Sequence, residues 1–132
     1  MTKVPSHLGI ILDGNRRWAK EKNLPVFEGH RMGLETAKKI IRHAKEKGVS
    51  ILTLFVFSSE NWKRPKAEVS YLMKLLGQAL SGSNAKDLDK QGIRVRVIGQ
   101  KEKLSKDLQK KISETEQATK NNKGMTLNFA LR

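Results

Sequence analysis

Val49–Phe57 reads VSILTLFVF, a run of β-branched, aliphatic and aromatic residues without a charged side chain. That composition predicts a strand covered on both faces. Immediately upstream, Leu34, Ala37, Ile40, Ile41 and Ala44 recur at helical spacing, predicting a helix over Arg31–Lys47 that stops at Gly48. Further upstream, His7–Leu12 (HLGIIL) reads as a short buried strand ending at the turn-prone Asp13-Gly14-Asn15. Arg16–Lys22 begins a helix that breaks near Asn23-Leu24-Pro25.

Downstream of the run, Ala67–Leu80 places Val69, Leu72, Met73, Leu75, Leu76 and Leu80 along one helical side. Ser81-Gly82-Ser83-Asn84 then reads as a small, polar, mobile break. Ile93–Ile98 (IRVRVI) alternates apolar and basic residues as a strand does, and Ser105 is placed to cap a helix carrying Leu108, Ile112 and Thr115. Thr119–Gly124 is turn material, and Met125–Leu131 (MTLNFAL) is a last strand. Strands alternating with helices predict one α/β domain over residues 1–132, with a mostly parallel sheet and helices on both faces. Ligands of such sheets gather at the carboxyl ends of the strands.

Charge narrows the partners. The 27 Lys and Arg outnumber 13 Asp and Glu, a formal net charge of +14, which attracts nucleic acid, anionic lipid surfaces or phosphorylated substrates. Lysines 101, 103, 106, 110, 111, 120 and 123 surround the last helix and its flanks as a solvated face. They lack the interleaved aromatics of a stacking groove, which argues against a specific nucleic-acid partner. The absence of cysteine removes disulfides, thiolate metal sites and a cysteine nucleophile, and fits a reducing cytoplasm. The apolar run within MTKVPSHLGIIL is too short for a signal peptide or a membrane span.

Two segments fall at the carboxyl ends of strands. In Asp13-Gly14-Asn15-Arg16-Arg17-Trp18, a glycine permits close backbone approach, a helix start offers free N–H groups, and two arginines suit phosphate oxygens. An aspartate among them makes sense as a Mg²⁺ ligand, because that ion takes one or two carboxylates and bridges to phosphate. Alone, the hexapeptide is better explained as an Asp-Gly turn before a basic helix. His30, beside Gly29, is a second group able to donate to phosphate, or else a surface or capping histidine. Phe57-Ser58-Ser59-Glu60-Asn61-Trp62-Lys63-Arg64-Pro65 mixes hydroxyls, a carboxylate, a carboxamide, aromatics and an arginine. That mixture suits a ligand with an apolar body met by Phe57 and Trp62 and a charged head met by Ser58, Asn61 and Arg64. Trp62 serves equally well as a core anchor.

HLGIILDGNRRWA, EGHRMG, LTLFVFSSENWKRPKAEV, GIRVRVIG and TLNFA follow one another in an order and spacing that resemble the cis-prenyltransferases, a family that includes undecaprenyl diphosphate synthase. The resemblance implies condensation of isopentenyl diphosphate onto an allylic diphosphate such as farnesyl diphosphate. It implies that Asp13 binds Mg²⁺ and is catalytic together with Ser58 and Asn61. Gly14, Asn15, Arg16, Arg17, His30 and Arg64 would cradle the allylic diphosphate, with Trp18, Phe57 and Ser59 also touching substrate. Glu60 and Trp62 would order the neighbouring loop and the homoallylic substrate. The growing chain would run between Leu34, Ala37, Ile41, Leu72, Met73, Leu76 and Leu80. A cytoplasmic homodimer, with possible contact to a membrane surface, completes the implied picture.

Three departures qualify it. The family's chain is considerably longer, and its later part would supply a second acidic metal ligand and an Arg- and Gly-rich motif for isopentenyl diphosphate. Val26 stands where many bacterial members carry a phosphate-binding arginine, and Ser81–Asn84 replaces a longer helical stretch. Two rival expectations follow: a diphosphate-binding or partner-dependent subunit of the same fold, and a basic nucleic-acid-binding domain.

Overall fold

The uncharged run becomes a central strand. In the computed structural model, which describes residues 4–12 and 15–131 apart from the side chain of Ser59, β2 (Ile51–Phe57) lies between β1 (His7–Ile11) and β4 (Met125–Leu131). β3 (Ile93–Gly99) completes a four-stranded parallel sheet of order β1-β2-β4-β3. Its register aligns Leu8, Leu52, Leu127 and Val95 in one row and Ile10, Leu54, Phe129 and Val97 in the next. Alternation along a strand places both rows on one face. There they join Ala37, Ile41, Leu76, Leu80, Leu108 and Ile112 in a single core.

Five helices accompany the sheet among the described residues: α1 (Asn15–Glu21), α2 (Val26–Glu46), α3 (Lys66–Ala79), α4 (Gly82–Lys90) and α5 (Lys106–Thr119); α2, α3 and α5 supply those partners, with Leu80 at the C-cap of α3. On the opposite face Ile11, Phe55 and Ile98 remain 72%, 47% and 37% exposed. The parallel sheet with helices is as expected, but the second helical layer is not found among the described residues. An uncharged strand shows that nothing in it demands water; it does not show that something covers it. The outer edge of β3 is closed differently. Val95 N–H donates to Thr119 Oγ1 at 2.9 Å and Val97 N–H to Glu116 Oε2 at 3.1 Å, so α5 satisfies groups that would otherwise template another strand.

Two boundaries differ from expectation for local reasons. α2 begins at Val26, not Arg31, because Pro25 at φ −59° sits at the N-cap, where a missing N–H costs nothing. Asn23, at φ 56°, makes the turn out of α1, so the Asn-Leu-Pro break is real but short. Ser81–Asn84 forms an ordered corner that leads into α4. Ser81 Oγ donates to the Gly77 carbonyl at 2.7 Å and Asn84 Nδ2 to the Gln78 carbonyl at 2.9 Å, satisfying the end of α3. α4 then buries Leu88 against the core. Among the described residues no helix is long and apolar enough to cross a membrane.

Candidate functional site

The carboxyl ends of β1 and β2 open into a cavity of about 620 Å³. Asn15, Arg16 and Arg17 from α1, His30 from α2, and Ser58, Glu60, Asn61 and Arg64 from the segment after β2 line its polar part. Leu34, Ala37, Leu72, Met73, Leu76, Ala79 and Phe129 line its apolar part. A smaller cavity of about 70 Å³ shares Leu34, Ala37, Ala79 and Phe129 as walls and extends to Ile41 and Leu88. The architecture therefore offers a cationic mouth and a hydrocarbon interior.

The mouth is held by close backbone approach. A Cβ on Gly29 would overlap the Asn15 carbonyl, and one on Gly33 would run into the Asn15 carboxamide. These two glycines, one turn apart on α2, let the start of α1 settle against it and carry Arg16 and Arg17 to the cavity. After β2, Ser58 caps a short 3₁₀ turn, Ser59–Lys63. Ser58 N–H donates to Asn61 Oδ1 at 2.7 Å and Ser58 Oγ to the same atom at 3.1 Å. A backbone N–H can only donate, so the contact fixes the oxygen of Asn61 inward and turns its NH₂ donors the other way.

Arg16, His30 and Arg64 meet around one buried carboxylate. Glu68, in the first turn of α3 and 5% exposed, has Oε1 3.1 Å from Arg16 Nε and 3.7 Å from His30 Nε2. Its Oε2 lies 3.4 Å from Arg64 Nε. The His30 contact is within ion-pair reach but too long for a hydrogen bond, and His30 Nε2 and Glu68 Oε2 are buried without a hydrogen-bond partner. Burial holds the His30 imidazole below its ordinary value. The charge of Glu68 opposes that shift, while Arg64 and Arg16 add to it.

Of the residues singled out in the sequence, Asn15, Arg16, Arg17, His30, Phe57, Ser58, Glu60, Asn61 and Arg64 share this cavity. Asp13, Gly14 and the side chain of Ser59 lie outside the described residues. Trp18 is half-buried on α1 and does not line the cavity. Trp62 also stands outside the lining: it packs edge-on against Phe57, ring centroids 4.8 Å apart at 75°, with Lys103 Nζ 5.7 Å from its ring centre. Of the expected chain-binding wall, Leu34, Ala37, Leu72, Met73 and Leu76 line the cavity, while Ile41 borders only the smaller space and Leu80 is core. Glu68 and Phe129 were not anticipated. The four-residue spacing of Arg64 and Glu68 is a signal for their ion pair but not for the burial of Glu68; Phe129 gave none beyond its place in a strand.

Among the described residues no three His, Asp or Glu side chains gather as a metal cage.

Residues 11–132 match the family described as "Putative undecaprenyl diphosphate synthase". Over 129 residues the chain is 48% identical to the ditrans,polycis-undecaprenyl-diphosphate synthase ((2E,6E)-farnesyl-diphosphate specific) of Legionella pneumophila, covering 98% of this chain and 54% of that one. It is 46% identical to the isoprenyl transferase of Bacillus cereus, covering 97% and 49% respectively. The lavandulyl diphosphate synthase of Lavandula x intermedia, solved in complex with dimethylallyl diphosphate, superposes with a TM-score of 0.92 at 38% identity. That match covers 97% of this chain and 55% of the plant enzyme. The chain thus spans about half the length of the curated relatives it matches.

Proposed function

The chain belongs to the undecaprenyl diphosphate synthase family of prenyltransferases, and from that premise we propose that it binds an allylic diphosphate for condensation with isopentenyl diphosphate. The observation that carries this reading is the meeting of Arg16, His30 and Arg64 at the mouth of a cavity with apolar inner walls. A diphosphate needs fixed cationic donors, and its hydrocarbon tail needs a space without water. Farnesyl diphosphate, named for the Legionella relative, combines the two.

In the reaction the π-electrons of isopentenyl diphosphate attack the allylic carbon, the carbon–oxygen bond to diphosphate breaks, and a proton leaves the new chain. Charge develops on the departing diphosphate, where the Arg16 and Arg64 guanidiniums, with Arg17 at the rim, stabilise it. Ser58 and Asn61, locked to one another at the cavity wall with Glu60 beside them, are the proposed hydroxyl and carboxamide groups that assist the condensation. Asp13 is the proposed carboxylate for Mg²⁺, which supplies further positive charge to the diphosphate when bound. A cytoplasmic homodimer belongs to the same reading, as does contact of its basic surface with anionic membrane, which alone is what the +14 charge supports.

The test is calorimetric titration of farnesyl diphosphate and of farnesol, with and without Mg²⁺, followed by condensation with labelled isopentenyl diphosphate. Product that disappears in Asp13→Ala supports a working synthase. Diphosphate-dependent binding without product reduces the chain to a binding or partner-dependent unit of the same fold. Equal indifference to both ligands, alongside salt-sensitive DNA binding unaffected by Asp13→Ala, replaces the reading with a nucleic-acid one.

A further inference from the structure

Glu68 is costly where it stands. A carboxylate that is 5% exposed has surrendered its water and must be matched by charge. A helix's first turn favours an acid, but an exposed Asp or Glu satisfies that preference equally well and needs no burial. The partners of Glu68 also come from three separate elements: Arg16 from α1, His30 from α2, and Arg64 from the turn that enters α3. No other side chain among the described residues pairs with all three.

The carboxylate also leaves the mouth cationic. One negative charge faces two permanent guanidinium charges, so an incoming anion still meets net positive charge, with Arg17 adding to it. Both arginines meet Glu68 through Nε, the nitrogen nearest the stem of the side chain. Contact at that point restrains the long side chain while the fork beyond it stays distinct from the contact. Arginine loses much rotamer freedom when it is ordered, and order imposed before binding is not charged against affinity.

We propose that Glu68 is a positioning residue: its buried carboxylate holds Arg16, His30 and Arg64 at fixed separations, so that a diphosphate meets a preformed cradle. The ligand named here rests on the reading of the cavity mouth given above; the restraint itself rests on the geometry of Glu68 alone. It acts through its neighbours and takes no part in bond making. The arrangement also explains why a negative group can lie behind an anion site without defeating it.

The test compares the wild-type chain with Glu68→Gln, which keeps shape and loses charge, and Glu68→Asp, which keeps charge and loses reach. The first readout needs no ligand. The Nε–Hε NMR signals of Arg16 and Arg64 are expected to be resolved and slowly exchanging in the wild type, and to collapse to the free-arginine position in Glu68→Gln. The second readout is calorimetric titration with inorganic diphosphate, where Glu68→Gln should bind roughly tenfold more weakly, the scale of one lost charge-assisted contact. Glu68→Asp should fall between the two, and serves as the working variant if Glu68→Gln melts below the assay temperature. A third arm repeats the Gln change in an Arg16→Ala/Arg64→Ala background, where a positioning role predicts no additional loss. The same loss in that background, or arginine signals and affinity unchanged in Glu68→Gln, overturns the proposal. A wild-type chain that binds no diphosphate overturns the reading of the mouth instead, and the arginine signals then decide the positioning role by themselves.

Discussion

The backbone carbonyl of Asn15 occupies the space that a side chain on Gly29 would need. This contact between α1 and α2 sets where Arg16 and Arg17 reach the cavity, so a defect in packing becomes a defect in binding. Gly29→Ala should force the two helices apart at a cost of about 1–3 kcal/mol. Urea unfolding measures that loss, and titration with inorganic diphosphate measures the accompanying fall in affinity. Unchanged affinity in a destabilised variant would detach α1 from the anion site.

Trp62 meets Phe57 edge to face and packs against the core, a placement that suits an anchor for the 3₁₀ turn carrying Asn61 and Arg64. Trp62→Ala should lower stability by about 2 kcal/mol, combining lost burial of a half-exposed ring with the lost aromatic pair. Trp62→Phe should recover much of it. If Trp62→Ala instead weakens ligand binding at full stability, the ring touches substrate and the anchoring role falls.

The outer edge of β3, closed by α5, gives a third outcome. Thr119 accepts from Val95 N–H and itself donates to the Thr115 carbonyl at 2.9 Å. Thr119→Val keeps the volume but orphans a buried N–H, which should cost about 1–3 kcal/mol. Concentration-dependent light scattering should rise as well, because an unsatisfied edge N–H invites another strand. A variant as stable and as monodisperse as the wild type would show that α5 protects this edge by coverage alone.

The strands and the longer helices were legible because each carries a periodicity that burial enforces: Leu52 and Leu54 in β2, Ala37, Ile41 and Ala44 along α2, Val95 and Val97 in β3. Pro25 and Ser81 misled because the same residue types that end helices also start them; only the backbone around them decides which. The polar half of the cavity was legible in FSSENWKRP, because loops seldom gather so many chemical types, whereas DGNRRWA by itself reads as an Asp-Gly turn before a basic helix and gained meaning only beside the second segment. Glu68 was not. A glutamate in a first helical turn reads as a surface acid, and its burial follows from α1 and α2 arriving from distant sequence, which no local pattern encodes. Coverage of the sheet was likewise illegible from strand composition, since Phe55 is as apolar as Leu54 yet 47% exposed.

His30 makes the stability of the fold respond to pH. Burial keeps its imidazole below the ordinary value, against the pull of Glu68, so the folded chain holds it neutral where the unfolded chain would begin to take up a proton. The unfolded histidine titrates near about 6.5. Because the unfolded state binds the proton more readily, the stability tied to neutral His30 is intact above that value. It is lost as pH falls through it towards the lower folded value. Urea unfolding of wild type and His30→Gln, from about pH 8 to about pH 5, isolates the contribution of His30. Wild-type stability should decline below about pH 6.5 more steeply than that of the variant, by no more than about 1.4 kcal/mol per pH unit for one proton. Saturating inorganic diphosphate should shrink the difference, because an anion beside the imidazole favours its charged form. Parallel curves without ligand would mean that His30 titrates alike in both states, and that Glu68 compensates its burial fully.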